Sequence, residues 1–213
     1  NLLRFLRPGG RAWWLEDPLQ NLYARPPVDL PGWVVLHADT NYRSPRDILT
    51  SLNRLLPGRG VEAGSPIEGA EVEIISYTGP DDLAAASTRA LTRAVGLGFK
   101  RPHIALVTYR GREHSRLTPL TRLGNFPLKA PTGRYDLLGN PILTDGDVLI
   151  DSVHRFKGRA APCVILTEID FTTLDDAAIR RLFVGATRAT LKLILVATDS
   201  AAAVLRERLL PAS

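Results

Sequence analysis

Seven short runs rich in β-branched and aliphatic residues recur along the chain, at 11–16, 33–37, 71–77, 103–109, 147–153, 163–167 and 192–198, with helical patterns between them. Several, such as Ile104-Ala105-Leu106-Val107 and Leu193-Ile194-Leu195-Val196, are apolar at every position. A strand with one wet face alternates polar and apolar residues. A strand that is apolar throughout has to be covered on both faces, as parallel strands crossed over by helices are. The alternation therefore predicts a doubly wound α/β sheet. Helix starts are legible in the same way. Ser44 followed by Pro45 reads as a cap with proline in the first turn, and Thr78-Gly79-Pro80-Asp81 as a capping box ahead of an Ala-rich helix over 83–95. Two further helices fit 174–189 and 200–209. Residues 111–146, punctuated by Pro, Gly and Asn, read as loops with at most one short helix.

A chain of 213 residues with 45% hydrophobic content suits one globular domain with a sizeable core, plus at most a fragment of a second. No run approaches the roughly 18 apolar residues of a membrane span, and arginines interrupt residues 1–8 too often for a signal sequence. A cytoplasmic protein with no membrane partner is expected. The single cysteine, Cys163, lies inside an apolar run, which excludes a disulfide framework and reads as core. A net charge of +5 fits a phosphate-bearing partner, although only four of the 27 basic residues are lysine, a bias that a GC-rich genome also produces. The chain has no methionine and opens on Asn1, so it reads as a piece of a longer protein whose remainder lies upstream.

In open α/β sheets ligands bind beyond the carboxyl ends of the strands. Three such places carry concentrated polar chemistry: Asp17-Pro18-Leu19-Gln20-Asn21-Leu22-Tyr23, Asn41-Tyr42-Arg43-Ser44-Pro45 and His154-Arg155-Phe156-Lys157-Gly158. A fourth, Gly185-Ala186-Thr187-Arg188, closes the helix before the last strand. Arginine suits a transferring phosphoryl group, because its planar guanidinium stays charged and donates in a fixed fork. Arg101, Arg110, Arg112, Arg116 and Arg122 cluster around the strand at 103–109, either as an electrostatic track for nucleic acid or as a solvated face.

Taken in order, these places resemble the later motifs of UvrD/Rep-type superfamily 1 DNA helicases. Residues 17–23 are similar to the family's third motif (Asp-x-x-Gln-x-Ile-Tyr), 41–45 to its fourth (Asn-Tyr-Arg-Ser), 152–158 to its fifth (Thr-Val-His-x-x-Lys-Gly) and 184–189 to its sixth (Val-Ala-x-Thr-Arg-Ala). Residues 104–110 resemble the strand that the family places between the fourth and fifth.

The resemblance implies an α/β fold, a RecA-like P-loop NTPase-type three-layer sandwich with a mostly parallel sheet that lacks the Walker A half. Residues 26–213 would be the second, C-terminal RecA-like helicase domain, and 1–25 the tail end of the first. It implies ATP with Mg2+, the metal held by the upstream domain, and two partners: single-stranded DNA and that upstream RecA-like domain. Gln20, Arg43 and Arg188 would form the catalytic set at the γ-phosphate. Gly158 would let main chain approach the nucleotide, and Tyr42 would stack beside it or pack as core. Ser152, His154 and Lys157 would touch the DNA backbone together with Arg110, while Tyr23 would stack on a base or face the core.

The chain also departs from the family. Ala160 stands where a glutamate usually follows the fifth motif's Lys-Gly and holds the ribose, and Arg25 replaces an aromatic after the third motif. Only about 40 residues separate Tyr109 from Asp151, too few for the family's large insertion. No Gly-x-x-x-x-Gly-Lys-Ser/Thr loop and no Asp-Glu pair after an apolar strand occurs, so the chain offers half an active site and no hydrolysis by itself. The run around Trp13 and Trp14, parted from its own sheet, is expected to pack irregularly or at another chain's edge. Two other readings stay open: a degenerate helicase-like binding module, to which Ala160 points, and an RNA-directed translocase.

Overall fold

The computed structural model describes residues 7, 9–23, 25–56, 58 and 60–209. In chain order its elements are β1 (Thr40–Asn41), α1 (Arg46–Asn53), β2 (Glu62–Ala63), β3 (Val72–Tyr77), α2 (Leu83–Gly96), β4 (Ile104–Thr108), β5 (Arg122–Leu123), β6 (Phe126–Lys129), β7 (Pro131–Tyr135) and β8 (Pro141–Leu143). They continue with β9 (Val148–Ser152), α3 (Val153–Phe156), β10 (Ala161–Ile169), α4 (Asp176–Ala186), β11 (Ala189–Thr198) and α5 (Asp199–Leu209). Short 3-10 turns lie at Pro18–Gln20, Arg101–His103 and Arg112–His114.

The main sheet has seven strands in the order β3-β11-β10-β4-β9-β6-β5, every pairing parallel except β5 with β6. Alternate residues of the central strands feed two cores. Val164, Leu166, Leu193 and Leu195 point to one face, where α1, α3, α4 and α5 pack through Ile48, Leu52, Phe156, Leu182 and Leu205. Cys163, Ile165, Ile194 and Val196 point to the other, where α2 packs through Leu83, Ala90 and Leu91. Helices on both faces are the physical reason that these strands carry no polar alternation. The expected three-layer α/β sandwich with a mostly parallel sheet is what forms. Cys163 is fully buried and its thiol is pushed up to about 12 by burial, which leaves it an inert core residue.

The structure corrects several local expectations. Residues 33–37 form no strand: Val34, Val35 and Leu36 are exposed, and no neighbouring strand offers them a ladder, without which an extended run gains no hydrogen bonds. Residues 11–16, by contrast, lie outside any strand with Trp13 and Leu15 exposed, the irregular packing expected of them. Helix α1 starts after Pro45 without a side-chain cap, because the Ser44 hydroxyl is used elsewhere, and α2 follows Asp82 with no capping box. Residues 111–146 are not merely loops. They contain the β5-β6 hairpin on the sheet's edge and a separate antiparallel hairpin, β7-β8. Both are built from strands too short for a period-two pattern to show. No helix among the described residues is long and apolar enough to cross a membrane.

Gly146, just before β9, passes so close to β6 that a Cβ there would stand 2.4 Å from the Leu128 carbonyl carbon. Main chain cannot yield as a side chain does. Gly146→Ala is expected to destabilise the fold by about 1–3 kcal/mol, read as a lowered urea midpoint; an unchanged midpoint would contradict the close approach.

Candidate functional site

Asn41 organises the first part of the site. Its side-chain oxygen accepts from the amides of Arg43 (2.8 Å) and Ser44 (3.0 Å), an Asx turn that fixes the backbone of 41–44. Ser44 is fully buried, and its hydroxyl donates to the Thr187 carbonyl at 3.2 Å, a contact that spans 143 positions of the chain. The loop after β1 is thereby tied to the end of α4. On the other side, the Ala161 amide at the start of β10 donates to the Arg188 carbonyl at 3.0 Å.

Arg188, carried at this junction, is only 2% exposed. Its Nε donates to the Val184 carbonyl (3.1 Å) and one terminal nitrogen to Thr187 Oγ1 (3.3 Å). Among the described residues no carboxylate comes within 4.0 Å of it. Burial lowers its pKa to about 10 and the charge of Arg43 pushes the same way, while Asp17 opposes them. Arg188 thus stays charged at neutral pH in a buried setting, beside a second arginine that is exposed.

Asp17 caps the 3-10 turn at Pro18–Gln20, accepting from the amides of Leu19 and Gln20, and the Gln20 side-chain amide donates back to it at 2.5 Å. Leu19 and Leu22 anchor this turn on the core face that α4 covers. The Gln20 carbonyl accepts from Lys157 Nζ at 2.9 Å, and the Tyr23 ring lies 5.7 Å from that of His154. Gln20, Tyr23, His154 and Lys157, drawn from two distant segments, are therefore assembled. Gly158 takes the left-handed φ of 87° with open space where a Cβ would be, as a main chain approachable by a ligand requires.

Tyr42 is exposed, not core. One edge of its ring lies against Gly64, where an added Cβ would come within 2.6 Å of the ring carbons. Gly64 was missed in the sequence, since nothing local links it to Tyr42. Ser152 is buried and caps α3 by position, with its amide donating to Asp151. Arg110 follows β4 and is half-buried. Its guanidinium is ion-paired with Asp170, next to the buried Glu168, which takes hydrogen bonds from Thr108, Ser115 and the Arg116 amide. Glu168 holds a left-handed φ of 61°, costly for a residue with a Cβ and invisible in the sequence.

A mostly parallel sheet covered on both faces, with an arginine-bearing junction at one end of its central strands, makes a three-layer α/β sandwich. Residues 147–196, running from before β9 into β11, match the family model of the UvrD-like helicase C-terminal domain. The chain is also similar to the crystal structure of the C-terminal domain of a possible DNA helicase from Lactobacillus plantarum. The two share 16% sequence identity and a TM-score of 0.51 over 79% of this chain and 93% of that one. At that identity the likeness is one of fold. No curated protein matches the chain. The likeness to UvrD-type helicase C-terminal domains is thus carried by the family match, and the shared fold accords with it.

His154 titrates below its ordinary value of 6.5, because burial and then the charge of Arg181 disfavour the imidazolium. Folding favours the neutral ring, so the stability it contributes is present above pH 6.5 and is lost as pH falls through the lowered pKa. Melting temperatures measured from pH 7.5 down to 5.5 should fall more steeply for the natural chain than for His154→Asn. Parallel curves would refute the assignment.

Proposed function

We propose that this chain is the C-terminal motor domain of an ATP-dependent superfamily 1 DNA helicase or translocase, completing an ATP site and contacting single-stranded DNA in a cytoplasmic enzyme. The observation that carries this reading is Arg188, a buried cation with no carboxylate partner among the described residues, next to Arg43. An isolated buried charge is costly, and an incoming anion offsets that cost. The γ-phosphate of ATP is such an anion. Arg43 and Arg188 would neutralise charge on the transferring phosphoryl group, in the manner of arginine fingers.

Tyr42, exposed above Gly64, would stack on the nucleotide, and the turn bearing Gln20 would report the phosphate. Lys157 holds the carbonyl of Gln20, so movement of that turn reaches His154 and Tyr23, the groups assigned to the DNA strand. Ser152 would act through its backbone, since its side chain is buried, and Arg110 through a guanidinium shared with Asp170. Magnesium would be held by the upstream RecA-like domain. A second reading, a degenerate binding module, is favoured by Ala160, which is exposed and offers no side-chain acceptor to a ribose.

The deciding experiment is steady-state ATPase activity of the full-length protein with no nucleic acid, with single-stranded DNA and with single-stranded RNA. Strong stimulation by DNA is expected. Arg188→Ala should then lower turnover by on the order of a thousandfold while nucleotide binding persists, and undiminished turnover would refute the arginine's role. No hydrolysis under any condition would leave the degenerate module, and stimulation by RNA alone would indicate an RNA translocase.

A further inference from the structure

Gly64 directly follows β2 with a φ outside the left-handed region, so its main chain would accept any residue. Space is what only a glycine leaves there. An added Cβ would stand 2.6 Å from Cδ1 and Cε1 of the Tyr42 ring and 2.6 Å from the Thr40 methyl. Gly79, Gly96 and Gly111, also outside the left-handed region, would meet nothing within 4 Å.

The floor beneath the ring is fixed. β2 lies parallel to β1, with Thr40 opposite Glu62 and Asn41 opposite Ala63, and the Gly64 amide extends this pairing by donating to the Asn41 carbonyl at 2.9 Å. Just upstream, the Asn53 side chain of α1 accepts from the Val61 amide (2.9 Å) and donates to its carbonyl (2.8 Å). Val61 and Ala63 pack against the core, and Ser65 on the far side of the glycine is buried. The Thr40 hydroxyl donates to Glu62 at 2.9 Å, which holds that side chain too. The ring is the opposite case: Tyr42 is 75% exposed, so seating it there removes little apolar surface from water.

A recess kept under an exposed aromatic side chain, on a floor anchored to the core, serves orientation and not burial. We propose that Gly64 is a positioning residue for the nucleotide: by leaving room for the Tyr42 ring it sets the angle at which that ring meets the base, while the neighbouring Arg43 meets the phosphates. The proposal rests on the reading of Tyr42 as the surface on which the nucleotide stacks. With a side chain at 64 the exposed ring yields and the anchored main chain does not. The base then loses its stack, and both arginines keep their places.

The test uses the full-length protein and two measurements, the affinity of a fluorescent non-hydrolysable ATP analogue and the KM and kcat of ATP hydrolysis. Gly64→Ala should weaken the affinity and raise KM by on the order of tenfold, the loss of one aromatic stack on a base. Its kcat and its affinity for single-stranded DNA should stay close to natural, as expected when only uniform binding is removed. Tyr42→Ala should do the same, and Gly64→Ala/Tyr42→Ala should be no worse than Tyr42→Ala alone, because residues acting through one contact are not additive. Adding Thr40→Ser to Gly64→Ala takes away the other crowded methyl and keeps the hydroxyl for Glu62. The defect should persist in that pair, which also serves as the test variant if Gly64→Ala folds poorly. Gly96→Ala should change neither measurement. Unchanged nucleotide affinity in Gly64→Ala/Thr40→Ser, a fall in kcat at unchanged KM, or losses at 42 and 64 that add would overturn the positioning role while the motor reading stands. A natural protein that neither binds nor hydrolyses ATP overturns both.

Discussion

β10 and β11 lie side by side in the middle of the sheet, and both are apolar on both faces because helices cover both. Water cannot reach their backbones, so every amide and carbonyl along them has to find its partner in a neighbouring strand. That demand keeps the register unbroken from Cys163 to Leu166 against Lys192 to Leu195, and the irregularities fall toward the ends of β10. Polar side chains are left to the strand ends, where the ladder stops. At one end the Ala161 amide grips the Arg188 carbonyl. At the other, Glu168 gathers Thr108, Ser115 and the Arg116 amide around a buried carboxylate.

From the first of these ends the placement of the paired arginines follows by short steps. Arg188 is fixed because its carbonyl is bound to β10 and because Thr187 accepts the buried hydroxyl of Ser44. Ser44 is in place because Asn41 has closed an Asx turn, and that turn delivers Arg43 and Tyr42 to the same side. The placement of two arginines and one aromatic therefore depends on a serine hydroxyl and an asparagine carbonyl.

Electrostatically the molecule keeps two kinds of arginine. Arg46, Arg89 and Arg93 are more than half exposed and pair with Glu68, Asp82 and Glu73, contacts of the sort that contribute little to stability because water screens them. Arg188 is buried with no such partner among the described residues, and Arg155 and Arg159 share a single carboxylate, Asp151, that burial itself pushes toward protonation. These placements cost stability, because a buried charge is taken out of water without a close counter-charge.

The amino-acid sequence by itself determined the α/β class, the five strands β3, β4, β9, β10 and β11, the helices near 83–95, 174–189 and 200–209, and the order of the motifs. Each of these is a local property, either a run of apolar residues or a short pattern read over a few positions. It did not determine the fate of Val34-Val35-Leu36, which are apolar enough for a strand yet lack a ladder partner, nor the β5-β6 and β7-β8 hairpins, whose strands are too short for periodicity to register. Nor could it tell which arginines are free. Arg101, Arg110 and Arg112 look alike in sequence, and only the approach of Asp147 and Asp170 across the fold distinguishes them. Ser44 looked like a helix cap and became a tether to Thr187, because the choice between the two depends on a carbonyl that the tertiary structure brings within reach from 143 residues away.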